Sequence, residues 1–377
     1  MLDYKEWALQ KKEQLTAKMR FAAEEAEKVD FIPYTTKNGK WEKSDINWWT
    51  NGFWGAAMWQ MYFMSGDAFF RNAAVRGEEM MDAALVNYER LDHDVGFLWL
   101  IQSGVRYAQE HNEQSLKRAL LCANILAGRY NPNGFIRAWN QTERAGWAII
   151  DTMMNLPLLY WASRQTQDPR YKLIAVSHAD TAIKAFIRPD GSSNHIVCFD
   201  PENGAFLENP GGQGYESGSS WSRGQAWALY GFALSYKLAG KREYLDTALK
   251  AAHYFMANIR EDGLVLSDFR APKQPEVFDD AAAAIAASGL IEISRLVPEY
   301  QKEIYLSAAL KLLKALDEKH ADFSLNTPAI LTSCTAAYND VQSRGMTMIY
   351  ADYFFIECVS KLLGSDKLFW APDIKNI

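Results

Sequence analysis

The chain has 377 residues, 49% of them hydrophobic, which is enough for one large domain or two ordinary ones. Lysine and arginine number 40 and aspartate and glutamate 46, and the resulting net charge of -6 argues against a nucleic-acid partner or an anionic-membrane partner. The sequence has neither the roughly 18 consecutive apolar residues of a membrane span nor, near its start, the apolar run of a signal peptide, so we expect a cytoplasmic protein.

The four cysteines are far apart, which argues against a disulfide framework. The six histidines form neither an HExxH nor an HxxxH pattern, so we expect no zinc site. The thirteen tryptophans are unusual, because extra tryptophan is typical of proteins that stack indole rings on the C–H faces of sugars.

Helical periodicity dominates the sequence, and strand-like runs such as 194–199 are few and short. No linker rich in proline or glycine divides the chain, so residues 1–377 are predicted to form a single domain. The twelve predicted helices span 3–28, 51–65, 67–88, 96–110, 113–128, 144–164, 168–187, 223–238, 241–259, 278–294, 299–317 and 345–363.

Short and long connections alternate along these helices. Because consecutive helices are usually antiparallel neighbours, all the long connections are expected at one end of the molecule. Six helical hairpins with one elaborated rim predict an all-α (α/α)6 toroid, with an irregular helical solenoid as the alternative. The connections 188–222 and 318–344 are longer than loops without a function usually are, so this rim is the predicted active face.

Two aspartates are candidate carboxyl groups for catalysis. Asp94 lies in LDHDVGF, in the long connection after the third predicted helix, and can equally be a turn or cap residue. Asp151 lies among apolar residues in WAIIDTMMNLPLL, where burial would raise its pKa and suit it to act as a general acid. Asn155, one turn further on, is predicted to orient Asp151. The alternative is that Asp151 simply caps a helix that starts at Thr152.

A glycine- and serine-rich stretch, GGQGYESGSSWSRGQAWALYG at 211–231, leads into a predicted helix. Ser222 and Gln225 have the spacing of a capping box, which predicts a helix start at Arg223. A guanidinium beside free helix N–H groups, flanked by Trp221 and Trp227, suits a small anionic ligand with a flat ring, such as a sugar acid. The alternative is an ordinary capped helix with a surface arginine and two core tryptophans.

The predicted topology brings these candidates together. His195 alone is more often a structural residue, but several unrelated segments map to the same rim. They are Asp94, the start of the 144–164 helix, His195, Gln213 and Arg223, together with Trp49, Trp139 and Trp221.

At these residues the chain resembles the unsaturated glucuronyl hydrolases of glycoside hydrolase family 88. The motifs that carry the resemblance are HDVGF with Asp94, IIDTMMNLPLL with Asp151, NHIVCFDP with His195, GGQGYESGSSWSRGQAW, and YADYFF at 350–355. The related unsaturated rhamnogalacturonyl hydrolases of family 105 tend to have RGNGW where this chain has RGQAW, which favours family 88.

The resemblance implies an (α/α)6 barrel that acts on oligosaccharides ending in a C4=C5 unsaturated uronic acid. The aspartate that matches Asp151 protonates C4 of the vinyl ether and accepts a proton from the water that attacks C5, and Asp94 supports it. The resemblance implies no metal and no cofactor. The substrate-binding residues implied are Trp49, Trp139, His195, Gln213, Trp221, Arg223 and Trp227.

Three other functions compete with this one. A family 105 enzyme would perform the same chemistry on pectin fragments. A sugar epimerase of the N-acylglucosamine 2-epimerase type also uses an α/α barrel but usually needs histidine bases, and His195 is the only histidine in a convincing context. A non-enzymatic carbohydrate-binding protein would explain the tryptophans and Arg223, but not the carboxyl of Asp151 among apolar residues.

Overall fold

The computed structural model describes residues 4–374, which are mostly helical. In chain order the helices are α1 (Tyr4–Val29), α2 (Asn51–Ser65), α3 (Ala68–Met80), α4 (Asp82–Val86), a π-helical segment (Gly96–Gly104) that continues as α5 (Val105–Glu110), α6 (Glu113–Gly128), α7 (Thr152–Thr166), α8 (Pro169–Ala185), α9 (Ser222–Ala239), α10 (Arg242–Ala257), α11 (Asp280–Leu296), α12 (Glu299–Lys319) and α13 (Ile349–Leu362).

Six helical segments form a closed inner ring. α2 packs on the π-helical segment, which packs on α7, and the ring continues through α9, α11 and α13 until α13 packs on α2. The other long helices, α1, α3, α6, α8, α10 and α12, lie outside this ring. The architecture is an (α/α)6 barrel, as the alternation of connection lengths predicted. The contact between α13 and α2 is incompatible with an open solenoid.

The inner ring and the helices outside it differ in their pattern of apolar residues because they differ in burial. In α10 the buried side chains recur every three or four residues, the pattern of a helix with one face on the core. In α11, fifteen consecutive residues from Asp280 to Ser294 are buried, and many of them are alanine. Glycines allow inner helices to approach closely, since a Cβ on Gly52 would lie 2.0 Å from the carbonyl oxygen of Phe97.

Short antiparallel strands lie in the long connections. They are β1 (Thr35–Lys37), β2 (Lys40–Glu42), β3 (Tyr130–Asn131), β4 (Phe135–Ile136), β5 (Trp147–Ile149), β6 (Ile196–Phe199), β7 (Phe206–Glu208), β8 (Cys334–Thr335) and β9 (Arg344–Met346). The three-stranded sheet has β6 between β5 and β7, with Ala148 opposite Val197. This sheet links two connections that are far apart in sequence.

The long connections lie at one end of the barrel, where the inner helices begin. They span 30–50, 87–95, 129–151, 186–221, 258–279 and 320–348, whereas those at the opposite end have two residues each. All six inner segments therefore point their N-termini at the same rim. Unpaired N–H groups and the helix dipoles make such a rim favourable for an anionic ligand.

Several predicted boundaries are wrong. The helix predicted at 144–164 begins only at Thr152, because Trp147–Ile149 forms β5. The helix predicted at 345–363 begins at Ile349, since Arg344–Met346 forms β9. The helix predicted at 67–88 is interrupted at Met81. The predicted start of the first helix, residue 3, lies outside the described residues.

None of the helices in the described part of the chain combines the length and the apolar character needed to cross a bilayer.

Candidate active site

Residues from several inner helices meet at the rim. Asp94 lies two residues before the π-helical segment, Asp151 directly precedes α7, and Arg223 lies in the first turn of α9. Trp49 precedes α2, and its ring centroid lies 4.7 Å from that of Tyr350 at the start of α13. The predicted convergence of unrelated segments is therefore present in the fold.

Asp151 is buried with only 8% of its surface exposed. Its Oδ1 atom is buried without a hydrogen-bond partner among residues 4–374, and its side chain caps none of the described N–H groups of α7. Asp151 therefore occupies the N-cap position of a helix that starts at Thr152, but its side chain does not act as a cap. Burial, followed by the charge of Asp94, raises the pKa of Asp151 to about 7, as the apolar sequence context predicted. A carboxyl of this kind holds a proton near neutral pH and can donate it.

Asn155 connects the two candidate carboxyl groups, although not as predicted. Its Nδ2 donates to Oδ1 of Asp94 at 3.0 Å and to the backbone oxygen of Asp151 at 3.2 Å. Its Oδ1 accepts the backbone N–H of Phe97 at 2.9 Å. Asn155 thus orients the carboxyl of Asp94 and not that of Asp151. Burial, and then the charge of Asp92, raises the pKa of Asp94 well above its usual range.

His195 lies beside Asp151. Its Nδ1 accepts the backbone N–H of Gln213 at 3.0 Å and also lies 3.3 Å from the carbonyl oxygen of Gly211. The N–H of Gln213 needs a lone pair at Nδ1, so this shorter contact assigns the proton of the neutral ring to Nε2. Nε2 lies 3.9 Å from Oδ1 of Asp151. Burial lowers the pKa of His195 to about 3, and the ring is therefore neutral at physiological pH. The ring of Trp221 packs on it, with centroids 4.1 Å apart.

Gln213 fixes the glycine-rich connection to the one that precedes α13. Its Nε2 donates to the carbonyl of Ala336 at 2.7 Å, and its backbone carbonyl accepts the N–H of Tyr338 at 2.8 Å. Because its backbone N–H also holds His195 in its own connection, Gln213 joins two connections of the rim and fixes the His195 ring.

Arg223 is 1% exposed, so the alternative of an ordinary surface arginine is wrong. Its Nη1 forms an ion pair with Oδ2 of Asp279 at 2.6 Å and also donates to the carbonyl of Thr335 at 2.7 Å. Its Nη2 donates to the carbonyl of Ala336 at 2.8 Å. The Nε atom is buried with no partner in the described chain. The guanidinium is therefore largely engaged by the protein.

The capping-box prediction is also wrong, because α9 begins at Ser222 and the two side chains are used elsewhere. The hydroxyl of Ser222 donates to the carbonyl of Ser267 at 3.0 Å. The amide of Gln225 accepts the N–H of Ser193 and donates to the carbonyls of Gly191 and Ala251. Both residues connect α9 to its surroundings.

Two of the predicted tryptophans line the rim and remain partly exposed. Trp49 packs against Phe97 and Tyr350. The ring centroid of Trp139 lies 6.1 Å from that of His93, and the Arg144 guanidinium lies 5.2 Å from the Trp139 ring centroid. Their exposed surface is available to a ligand.

The other two tryptophans are buried. Trp221 is 3% exposed and lies between His195 and the guanidinium of Arg223, which is 4.5 Å from its ring centroid. Trp227 is completely buried and packs against Phe97 and Phe354. Neither ring of this pair presents an open face, so their contribution to the site is through packing.

Asp268 was missed by the sequence reasoning. Its Oδ2 accepts the N–H of Tyr215 at 3.0 Å and the hydroxyl of Ser219 at 2.6 Å. Its Oδ1 accepts the N–H groups of Ser220 at 3.1 Å and Arg270 at 2.9 Å. One buried carboxylate thus anchors the glycine-rich connection that carries Gln213. Nothing local in the sequence distinguishes this aspartate from an ordinary turn residue.

Asp92, His93 and Asp94 are the one group of potential metal ligands found within residues 4–374, with ligand atoms within 4.8 Å of one another. Hydrogen bonds within the protein account for this proximity. Asp92 Oδ1 accepts the N–H of Asp94, and Nδ1 of His93 lies 2.9 Å from the carbonyl of Ala138. We therefore assign no metal to the group.

The sequence of the chain is similar to those of known proteins. The model of Glycosyl Hydrolase Family 88 matches residues 13–262. The unsaturated glucuronyl hydrolase of Bacillus sp. (strain GL1) is 38% identical over 302 residues, which cover 78% of this chain and 80% of that protein. The unsaturated chondroitin disaccharide hydrolase of Streptococcus pyogenes serotype M1 is 30% identical over 352 residues, which cover 91% and 88%.

The fold is also similar to that of solved structures. The crystal structure of an unsaturated glucuronyl hydrolase specific for heparin superposes with a TM-score of 0.88 and 29% identity, and the match covers 96% of this chain and 99% of that one. The match to the family model ends at residue 262, whereas the structural similarity covers nearly the whole barrel. The chain therefore belongs to glycosyl hydrolase family 88 and is a glycoside hydrolase.

Proposed function

We propose that this enzyme releases the C4=C5 unsaturated glucuronic acid from the non-reducing end of oligosaccharides, with Asp151 as the acid and base. The observation that carries the proposal is the buried carboxyl of Asp151, whose pKa is raised to about 7 and whose Oδ1 lies 3.9 Å from the neutral His195 ring. The relatives of the chain are named for hydrolysis of unsaturated glucuronyl and chondroitin disaccharide substrates.

The reaction is a hydration of the vinyl ether and not a direct displacement at the anomeric carbon. Asp151 gives its proton to C4, and positive charge develops at C5 and the ring oxygen. Water adds to C5 and returns a proton to Asp151, which restores the acid form. The resulting hemiketal opens by cleavage of the bond between C5 and the ring oxygen, and the hemiacetal left at C1 releases the shortened sugar. One water is consumed, and one carboxyl serves both steps.

The remaining residues support this step. The neutral Nε2–H group of His195 is oriented to donate to a sugar hydroxyl or to the attacking water. Asp94 raises the pKa of Asp151 and so keeps its proton available. Since Asn155 holds Asp94 and α7 together, the separation of the two carboxyl groups is set by one side chain.

The charge of the rim fits an anionic sugar. Six inner helical segments direct their N-termini to it, and Arg223 adds a buried positive charge that Asp279 partly balances. Trp49 and Trp139 supply apolar surface for the sugar ring. Arg223 stays a predicted receptor for the substrate carboxylate. Its Nε atom is a donor without a partner among residues 4–374, and it is buried beneath the rim.

The test is the loss of ultraviolet absorbance when the protein is added to unsaturated disaccharides of the chondroitin, heparin and rhamnogalacturonan types. We expect absorbance to fall with a disaccharide ending in unsaturated glucuronate, and no cleavage of its saturated counterpart. Preference for the rhamnogalacturonan disaccharide would favour the family 105 activity instead. Equal cleavage of saturated and unsaturated substrates would contradict hydration of the double bond. The cytoplasmic location stays a prediction.

A further inference from the structure

His93 is buried, 1% exposed, and is the residue that directly precedes Asp94. Its Nδ1 lies 2.9 Å from the carbonyl oxygen of Ala138, which can only accept a hydrogen bond. Nδ1 must therefore carry a proton. The other ring nitrogen, Nε2, lies 3.3 Å from Oδ1 of Asp94, and it is buried without a hydrogen-bond partner in the described residues.

This proximity favours one proton on the pair of side chains. A neutral His93 ring protonated on Nδ1 presents a lone pair at Nε2, and an ionised Asp94 presents lone pairs at Oδ1. At 3.3 Å in a buried site these lone pairs would repel each other. One proton removes the repulsion, either as imidazole with a carboxylic acid or as imidazolium with a carboxylate. Both forms have a net charge of zero.

The surroundings favour a single proton on the pair. Asp92 Oδ1 lies 3.6 Å from Nδ1 of His93, and the Arg129 guanidinium donates to the same Ala138 carbonyl. Burial lowers the pKa of His93 and raises that of Asp94, so the pair resists both a second proton and the loss of its only one. The other titratable groups that interact with the His93 ring are Asp151, His178 and His195.

We propose that His93 is a positioning residue that acts through Asp94, holding one proton on the pair and so limiting the negative charge that Asp94 presents to Asp151. This inference rests on the proposed function, in which Asp151 is the acid. Without His93, Asp94 would lose the neighbour that shares its proton and would ionise at a lower pH than in the pair. Its full charge would then disfavour the ionised form of Asp151 and raise the pKa of Asp151 further.

Two substitutions separate the contacts of His93. In His93→Asn the amide reaches the position of Nδ1 and can still donate to the Ala138 carbonyl, but it cannot reach Asp94. In His93→Gln the amide reaches the position of Nε2 and can donate to Asp94, but it cannot give up or take a proton. Each variant is compared with the unaltered enzyme and in an Asp94→Asn background.

We expect both variants to move the basic limb of the kcat/KM profile to higher pH. We expect His93→Asn to lower kcat by about tenfold with KM changed by less than about threefold, because Asp94 also loses its orientation, and His93→Gln to retain more activity. In the Asp94→Asn background neither substitution should move the limb or change kcat by more than about threefold, because coupled residues are not additive.

Equal losses in both backgrounds, or an unmoved basic limb, would overturn the role assigned to His93. Failure of the proposed function is a different result, namely an active Asp151→Asn enzyme.

Should the His93 variants fail to fold, nitrogen NMR of the unaltered protein still tests the role of His93. The Nδ1 of His93 should stay protonated and the ring should not titrate from about pH 6 to about pH 8, whereas a ring that titrates freely in that range would contradict the shared proton.

Discussion

The Nε2 atom of His195 lies 3.9 Å from Oδ1 of Asp151, and Nε2 carries the proton of the ring because Nδ1 accepts the N–H of Gln213. This distance is too long for a hydrogen bond but short enough for a water or a sugar hydroxyl to contact both groups. A proton-donating carboxyl and a neutral N–H group thus face the same small volume.

The activity of the unaltered enzyme should fall as the pH rises above about 7. Asp151 has to be protonated to act as an acid, and burial with the charge of Asp94 raises its pKa to about 7. The active form is therefore present below that pH and is lost above it. The measurement is kcat/KM for an unsaturated disaccharide across the pH range. A basic limb absent up to about pH 9 would contradict the assignment of Asp151.

Asp94→Asn should lower kcat severely and move the basic limb to lower pH. The amide has no charge with which to favour the protonated form of Asp151, so the pKa of Asp151 decreases. The acidic side of the profile should change less cleanly, because the two carboxyl groups titrate as a pair. If neither the rate nor the pH profile changes, Asp94 is only a turn residue.

Arg223→Ala should lower the free energy of unfolding by about 3–5 kcal/mol, because it leaves the buried carboxyl of Asp279 without its cation. Burial raises the pKa of Asp279 to about 6 even beside Arg223. The pKa of such a carboxyl is higher in the folded protein than in the unfolded chain. It therefore lowers the free energy of unfolding progressively as the pH rises from the pKa of the unfolded chain through that of the folded protein. The loss should therefore be larger at neutral pH than at acidic pH.

Thermal unfolding at several pH values measures this loss, and Arg223→Ala with Asp279→Asn is the matched control. The double variant should recover part of the stability.

Substrate discrimination tests the separate role of Arg223 as a carboxylate receptor. The unaltered enzyme should prefer the unsaturated uronate to its methyl ester, and Arg223→Ala should discriminate much less. Lysine should rescue poorly because it lacks the planar guanidinium fork. Equal discrimination would place the carboxylate elsewhere.

Asp268→Asn should raise KM by about tenfold and change kcat less, because one of its two oxygens becomes an N–H donor facing backbone N–H groups. The glycine-rich connection that carries Gln213 would then be less ordered. Asp200→Asn is the control, since Asp200 also accepts two backbone N–H groups but lies in a turn without site residues. The same change in both variants would mean that Asp268 has no specific effect on the site.

Local sequence predicted the helices well, because an amphipathic or apolar period is present within each one. It failed at Trp147–Ile149, which is a strand only because it pairs with Ile196–Phe199, about fifty residues later. The capping box failed for a similar reason. The side chain of Gln225 satisfies backbone groups of Ser193, Gly191 and Ala251, and none of these contacts can be seen from local spacing.

The site was predicted in part. The apolar residues around Asp151 were enough to predict its raised pKa, and the alternation of connections placed Asp94 and Asp151 on one rim. The partner of Arg223 could not be predicted, because Asp279 is fifty-six residues away and starts another inner helix. Likewise Asn155 has the predicted helical spacing from Asp151, but its side chain reaches Asp94.

The central claim is that one carboxyl, that of Asp151, gives and recovers the proton. Its most direct test is Asp151→Asn, assayed by the absorbance of an unsaturated glucuronyl disaccharide and by calorimetric binding of the same disaccharide. We expect nearly complete loss of turnover with binding largely kept, because the amide has almost the same shape but cannot donate and recover the proton. Turnover within tenfold of the unaltered enzyme, a barrier change of only about 1.4 kcal/mol, would contradict the account.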